Sequence, residues 1–262
     1  MIKQIGISVL AFLALGVSYA YAQDAAVYVD KLGGVWATSS SGVYKYTPEL
    51  KPISAPYVAF ANGVPTYIDV TDPLRVLAFY STSKTAVLLN SELSPISAAI
   101  SLQAETANPQ LICRSGKGGF WLLDASVSKL VSLNASFKRE GVSIPLSASI
   151  LPLGAEPLFM QEQKGVVYIG YRGFGIVAFD AFGKLQNVYR VNLQGQFCMY
   201  KGGFLFVTIG GIMVYRFSNE QVELLVGSSS SFPAYFKGEI LLFADGAISV
   251  SQNSSVGFLV GE

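Results

Sequence analysis

The chain has 262 residues, of which 51% are hydrophobic and 13% charged, with a formal net charge of +1 and no histidine. No block of Lys and Arg stands anywhere along it, which argues against nucleic acid as a partner, because neutralising a phosphate backbone takes clustered basic residues. The lack of histidine removes the Ser-His-Asp type of nucleophile activation, the usual zinc sites and the commonest general base at neutral pH.

Residues 1–22 carry one positive residue, Lys3, then an apolar run from Ile5 to Val17 and a small-x-small ending, Ala20-Tyr21-Ala22. This layout predicts a secretory signal peptide rather than a membrane anchor, cleaved before Gln23. The mature chain, 23–262, is then a single domain with 17 basic and 17 acidic residues. So few surface charges fit either an apolar face held against a partner or a large β core buried on both faces.

A lysine-glycine signal recurs from there on. Lys31 stands in "DKLGGVWAT", Lys117 in "SGKGGFWLLD", Lys164 in "EQKGVVYIG", Lys201 in "MYKGGFLFV" and Lys237 in "YFKGEILLF", with Arg75 holding the equivalent place in "DPLRVLAFY". Successive spacings are 44, 42, 47, 37 and 36 residues. In each unit a short β run precedes the turn and a longer apolar run follows it. Several units add a second glycine turn, a third strand such as "IVAFD", and a weaker fourth such as "VELLVG". Four short strands at a period near 40 residues predict an all-β fold, a β-propeller of six blades over 24–56, 57–108, 109–156, 157–194, 195–231 and 232–262. Five or seven blades are the alternatives. The repeated pair reads as hairpin chemistry, glycine for positive φ and lysine solvated at the tip. The strands are shorter than those of an outer-membrane barrel and mostly do not alternate, which argues against that architecture.

Candidate chemistry is sparse. Asp30, Asp69 and Glu162 are the acids of the predicted first strands; they form a channel-metal site for a hydrolase or lactonase-like enzyme, or they hold edges and turns. Trp36, Trp121, Tyr168 and Phe204 fall at matching blade positions, which suits packing between blades better than a platform for glycans. Cys113 and Cys198 lie in non-adjacent units and read as thiols rather than a bridge. No catalytic residue, metal ligand or cofactor site is expected. Residues 134–156 read as a long insertion between two blades, of the kind that carries contacts.

The segment 66–96, "TYIDVTDPLRVLAFYSTSKTAVLLNSELSPI", resembles exported propellers of the Bacteroidota in Asp69 to Arg75 and in Leu88, Leu89, Asn90, Leu93, Pro95 and Ile96. "GFWLLDASVSKLVSLN" and "GIVAFDAFGKLQNVYRV" are similar to the same family, which includes the Plug subunit of the type 9 secretion translocon. Ser91-Glu92 departs from the arginine-containing turn of that pattern. The resemblance implies a non-enzymatic periplasmic propeller, peripheral to the outer membrane and not itself spanning it. Its implied partner is a large outer-membrane barrel whose periplasmic mouth it closes. On that reading Asp72 and Pro73, with Lys138, Arg139 and Ile144 of the 134–156 segment, are the expected partner contacts.

Overall fold

Each described lysine-glycine stretch folds as the hairpin between the first and second strand of a sheet, and two turn types build it. At Lys164-Gly165 and Lys201-Gly202 both residues of a two-residue turn have positive φ, 52° and 80° in the first pair and 28° and 75° in the second. At Lys31 and Lys117 the loop is longer. There the positive φ falls on Gly33 and Gly118, and their N–H groups donate to Asp30 O and Ser115 O over 3.0 Å. These are the two commonest hairpin solutions for a right-handed strand twist.

The computed structural model describes residues 25–251 apart from 60, 142, 147–149, 152–153, 228–230, 233, 237–238 and 245–246; the predicted signal peptide and Lys237 lie outside the described residues. Six sheets form the molecule. Blade 1 has Ala25–Val29, Val35–Ser39 and Gly42–Tyr46, and blade 2 has Tyr67–Asp69, Val76–Tyr80, Thr85–Leu89 and Ile100–Ser101. Blade 3 has Pro109–Arg114, Phe120–Asp124, Lys129–Leu133 and Ile144–Pro145. Blade 4 has Pro157–Gln163, Val166–Tyr171, Gly175–Asp180 and Leu185–Tyr189. Blade 5 has Phe197–Tyr200, Gly203–Thr208, Gly211–Arg216 and Val222–Gly227, and the described part of blade 6 has Ala234–Phe236, Glu239–Ala244 and Ala247–Ser251. The consecutive strands within each blade are antiparallel, and the first strand of blade 1 packs on blade 6, which closes the ring. The fold is an all-β, six-bladed propeller, as the repeat predicts.

Three features differ from the sequence expectation. The described first half of 134–156 is not an insertion: Arg139 bridges Leu133, Ile144–Pro145 pairs with Lys129 and Leu130, and buried Leu146 donates to Ser128 O, so this part supplies the outer strand of blade 3. Pro145 and flanking serines disguise it as a loop, and an outer edge strand tolerates a proline. Ser231–Phe232, placed at a unit boundary, pairs in parallel with Ala25 and Ala26 on the axial edge of blade 1. A recurring turn follows the third strand. Asn90, Asn134 and Asp180 each accept two backbone N–H groups, two and four residues on, through one Oδ1 at 2.9–3.0 Å. Leu93 and Phe137, buried in that turn, have φ of 63° and 61°.

The middle strands carry the core. Val76–Tyr80 and Phe120–Asp124 are buried at every position, because both faces of a blade pack on neighbouring blades. Trp36, Trp121, Tyr168 and Phe204 stand opposite Tyr28, Cys113, Gln161 and Met199 in register. Trp36 and Trp121 are 0% and 3% exposed, so they are packing residues and not surface platforms.

Candidate functional site

The axis of a propeller is where a ligand site is looked for first. Here the first strands all run the same way, and two cavities open at their opposite ends. At the hairpin end, a cavity of about 400 Å3 is lined by Lys31, Asp69, Thr71, Gln161, Glu162, Gln163, Met199 and Tyr235. At the other end, one of about 600 Å3 is lined by Thr66, Ser81, Lys84, Gln110, Glu156, Arg172 and Gln194. Aromatic rings from non-adjacent blades meet between them. Tyr67 of blade 2 lies 5.4 Å from Phe159 of blade 4, edge-on, and Phe159 lies 5.3 Å from Phe197 of blade 5. These three rings are 0%, 6% and 1% exposed, and Phe232 beside them is 1% exposed. Each such pair adds about 0.5–1.5 kcal/mol beyond the area it buries. The axis is filled by a hydrophobic seal.

The sealing residues also solve an edge problem. Outside blade 1, where Ser231–Phe232 covers part of it, the axial edge of a first strand has backbone groups with no strand beyond it, and buried groups of that kind must find partners. Tyr67 and Asp69, two apart and so on one face of their strand, cap this edge in blade 3. The Tyr67 hydroxyl accepts Ile112 N–H at 2.6 Å and donates to Ile112 O, while Asp69 Oδ2 accepts Arg114 N–H at 2.7 Å. Burial pushes the Tyr67 hydroxyl well above its ordinary value, which keeps it a donor at any working pH.

The three acids named as metal candidates are each engaged. Asp30 accepts Leu32 N–H and Gly34 N–H at 2.8 and 2.9 Å through Oδ1, and the Trp36 indole at 2.8 Å through Oδ2. Asp69 caps Arg114 and, through Oδ1, Thr71 N–H at 2.9 Å. Glu162 accepts the Trp121 indole of blade 3 at 2.5 Å. Among the described residues no group of three His, Cys, Asp or Glu side chains gathers to hold a metal. Cys113 is buried and Cys198, at the wall of the hairpin-end cavity, half-buried; both are thiols, and burial pushes Cys198 up to about 12. The chain has no histidine to serve as the usual base for such a thiol.

The residues expected at a partner interface differ in exposure and in what they touch. Pro73 is buried inside its turn, whereas neighbouring Leu74 is 64% exposed. Lys138 and Arg139 are exposed and tied to Glu105, by an ion pair of 3.3 Å and by Arg139 N–H to Oε2 at 3.0 Å; Ile144 is half-buried in the outer strand. Asp72 has structural work at the junction of blades 2 and 3. It accepts Leu74 N–H at 3.2 Å and Arg75 Nε at 3.1 Å, and lies 3.4 Å from the guanidinium of Arg114. Arg114, not singled out in the sequence, is 7% exposed, donates to Arg75 O at 2.7 Å and stacks 4.9 Å over Phe120. The signal for it was a lone arginine ending an otherwise apolar strand, "QLICR", which needs a buried partner.

Burial alone would push the Asp72 carboxyl up; the Arg75 hydrogen bond, the Leu74 amide and the Arg114 charge outweigh it and hold the carboxyl below its ordinary value. A depressed folded pKa gives stability that is present above the unfolded value, near 4, and is lost as pH falls through the folded one. Asp72→Asn should therefore cost about 1–2 kcal/mol at neutral pH, by leaving Arg114 without its carboxylate. Melting temperatures of both proteins between neutral pH and about pH 3 check this. The gap should close at the acid end, and a gap that persists there would mean the charge plays no part.

Propeller architecture with a sealed axis is thus the class to which this protein belongs. No protein-family model matches the chain, and no curated protein matches it. Solved structures do. A streptogramin B lyase superposes with a TM-score of 0.54 at 12% identity, over 86% of this chain and 78% of that one. Virginiamycin B lyase from Staphylococcus aureus gives 0.56 at 12% identity, over 88% and 84%. The extracellular domain of a putative one-component system from B. thetaiotaomicron gives 0.52 at 14% identity, over 87% of this chain and 38% of that one. At such identities the likeness extends to the fold. No helix among the described residues is long and apolar enough to cross a membrane.

Proposed function

We propose that this chain is a non-enzymatic, exported propeller that binds a protein partner at the outer membrane and, more specifically, closes the periplasmic mouth of a large barrel of the type 9 secretion translocon. The observation that carries this reading is the aromatic seal. Among the described residues Tyr67, Phe159 and Phe197 meet between the two axial cavities, and closure of a pore asks for such a barrier. The resemblance of segment 66–96 to exported Bacteroidota propellers supports the same assignment. One face of a propeller is large enough for a stable interface, which buries on the order of 1,200–2,000 Å2 in total.

Against an enzymatic reading stands the state of the axial residues. The acids there are committed to indoles and backbone amides, and the half-buried cavity-wall thiol has its pKa pushed up by burial. The S. aureus virginiamycin B lyase is catalytically inactive when one histidine is replaced by alanine, whereas this chain has no histidine at all. The absence of a histidine supports a reading without lyase chemistry of that kind.

The test is affinity capture of the tagged chain from gently solubilised envelopes of its native host. A large outer-membrane barrel should be recovered with it; recovery of the propeller alone would overturn the proposal.

A further inference from the structure

Turn geometry explains the glycines of the repeat and leaves the lysines unexplained. Lys31 and Lys117 occupy the loop before a positive-φ glycine, whereas Lys164 and Lys201 themselves adopt positive φ, 52° and 28°. In the second setting a lysine is a poor choice, since glycine, asparagine or aspartate takes that conformation at less cost. The same cation thus recurs at the same hairpin tip in two turn types that make different demands on it. Arg75 places a fifth cation on the corresponding loop of blade 2. Whatever keeps these residues basic lies outside the turn.

All five are exposed, and they crown one end of the molecule, around the mouth of the hairpin-end cavity. The acids on the same hairpins do not neutralise that rim. Asp30 is 6% exposed and faces its own turn and Trp36, while Asp72 is shared between Arg75 and Arg114. Beside the cations stand large apolar side chains open to solvent. Leu32, next to Lys31, is 70% exposed; Leu74, next to Arg75, is 64% exposed; Phe182, whose ring lies 5.9 Å from Lys117 Nζ, is 81% exposed. Together they form an arc of alternating cation and hydrophobe across the first four blades.

We infer that this hairpin face docks on an anionic phospholipid surface, with the lysines and Arg75 against the phosphates and Leu32, Leu74 and Phe182 in the headgroup boundary. Basic residues interleaved with protruding leucine and phenylalanine suit a charged surface that also accepts hydrocarbon. An acidic protein would reward the cations and leave the three hydrophobes unexplained. The inference goes beyond the proposed barrel partner and does not depend on it.

Sedimentation of the purified mature chain with synthetic vesicles tests it. Vesicles containing phosphatidylglycerol should bind the chain at least about tenfold more tightly than phosphatidylcholine vesicles. A Lys31→Glu/Lys117→Glu/Lys164→Glu variant should weaken that binding by about a hundredfold or more. A Leu32→Ser/Leu74→Ser/Phe182→Ser variant should also lose most of it. Val127→Ser/Ile209→Ser, which removes exposed apolar residues from turns between second and third strands, should bind as the parent does. Thermal melting of each variant confirms that these surface changes leave the fold intact. Equal binding to both vesicle types would overturn the inference. So would full binding by the serine triple variant together with competition by soluble polyglutamate, which would make the rim a site for acidic protein.

Discussion

Tyr67→Phe is expected to destabilise the propeller by about 2–4 kcal/mol, far more than the loss of one oxygen suggests. The hydroxyl serves both backbone groups of Ile112 at once, and Tyr67 is 0% exposed, so no water replaces it. A buried donor and a buried acceptor are then left unpaired, at about 1–3 kcal/mol each. For a domain of this size the melting temperature should fall by roughly 5–12 °C. The ring itself stays in place against Phe79 and Phe159, so the variant should fold to the same structure. Tyr67→Ala would remove the ring as well and cost about 3–5 kcal/mol from the cavity alone. An unchanged melting temperature for Tyr67→Phe would show that the seam between blades 2 and 3 is held by something other than this clasp.

Gly203→Ala should be more damaging still, and its neighbour Gly202→Ala much less. A Cβ on Gly203 would overlap the Tyr215 carbonyl oxygen and crowd the Arg216 Cα, which is backbone of the paired third strand and cannot swing aside. Parting the two strands breaks the ladder, and we expect a loss of about 3 kcal/mol or more. Gly202 has φ of 75° with open space around its missing side chain, so alanine there meets only backbone strain of about 1–2 kcal/mol. Denaturant unfolding of the pair distinguishes them. Similar midpoints would mean that the strands part easily at this position. Gly119, against Leu133 O, is the same device in blade 3. The doubled glycine of "KGGF" therefore has two jobs, a turn at the first and a close approach at the second.

That division shows what could be read from the chain. Period, strand count and hairpin positions were legible because they depend on local chemistry: glycine at positive φ, and apolar runs wherever a blade is covered on both sides. The outer strand of blade 3 was hidden because an edge strand needs no strong pattern. The axial seal was hidden for another reason. Tyr67, Phe159, Phe197 and Phe232 each look like one more core aromatic within their own unit, and their meeting follows from ring closure, which no single repeat encodes. Asp69 and Glu162 looked like chemistry because unpaired carboxylates in inner strands are rare; their partners, Arg114 N–H and the Trp121 indole, lie 45 and 41 residues away. Even the distinctive segment 66–96 has a structural explanation, since Asp69, Asp72, Asn90 and Leu93 all build turns or seams.

The measurement that tests the central claim most directly is the molar ratio of proteins captured with the tagged chain from native envelopes, read by quantitative mass spectrometry. The account predicts a very large outer-membrane barrel in near one-to-one amount with the propeller. Recovery of the propeller by itself, or with a scatter of envelope proteins at trace level, would contradict it, while the vesicle experiment, which uses no envelope protein, would stand or fall separately.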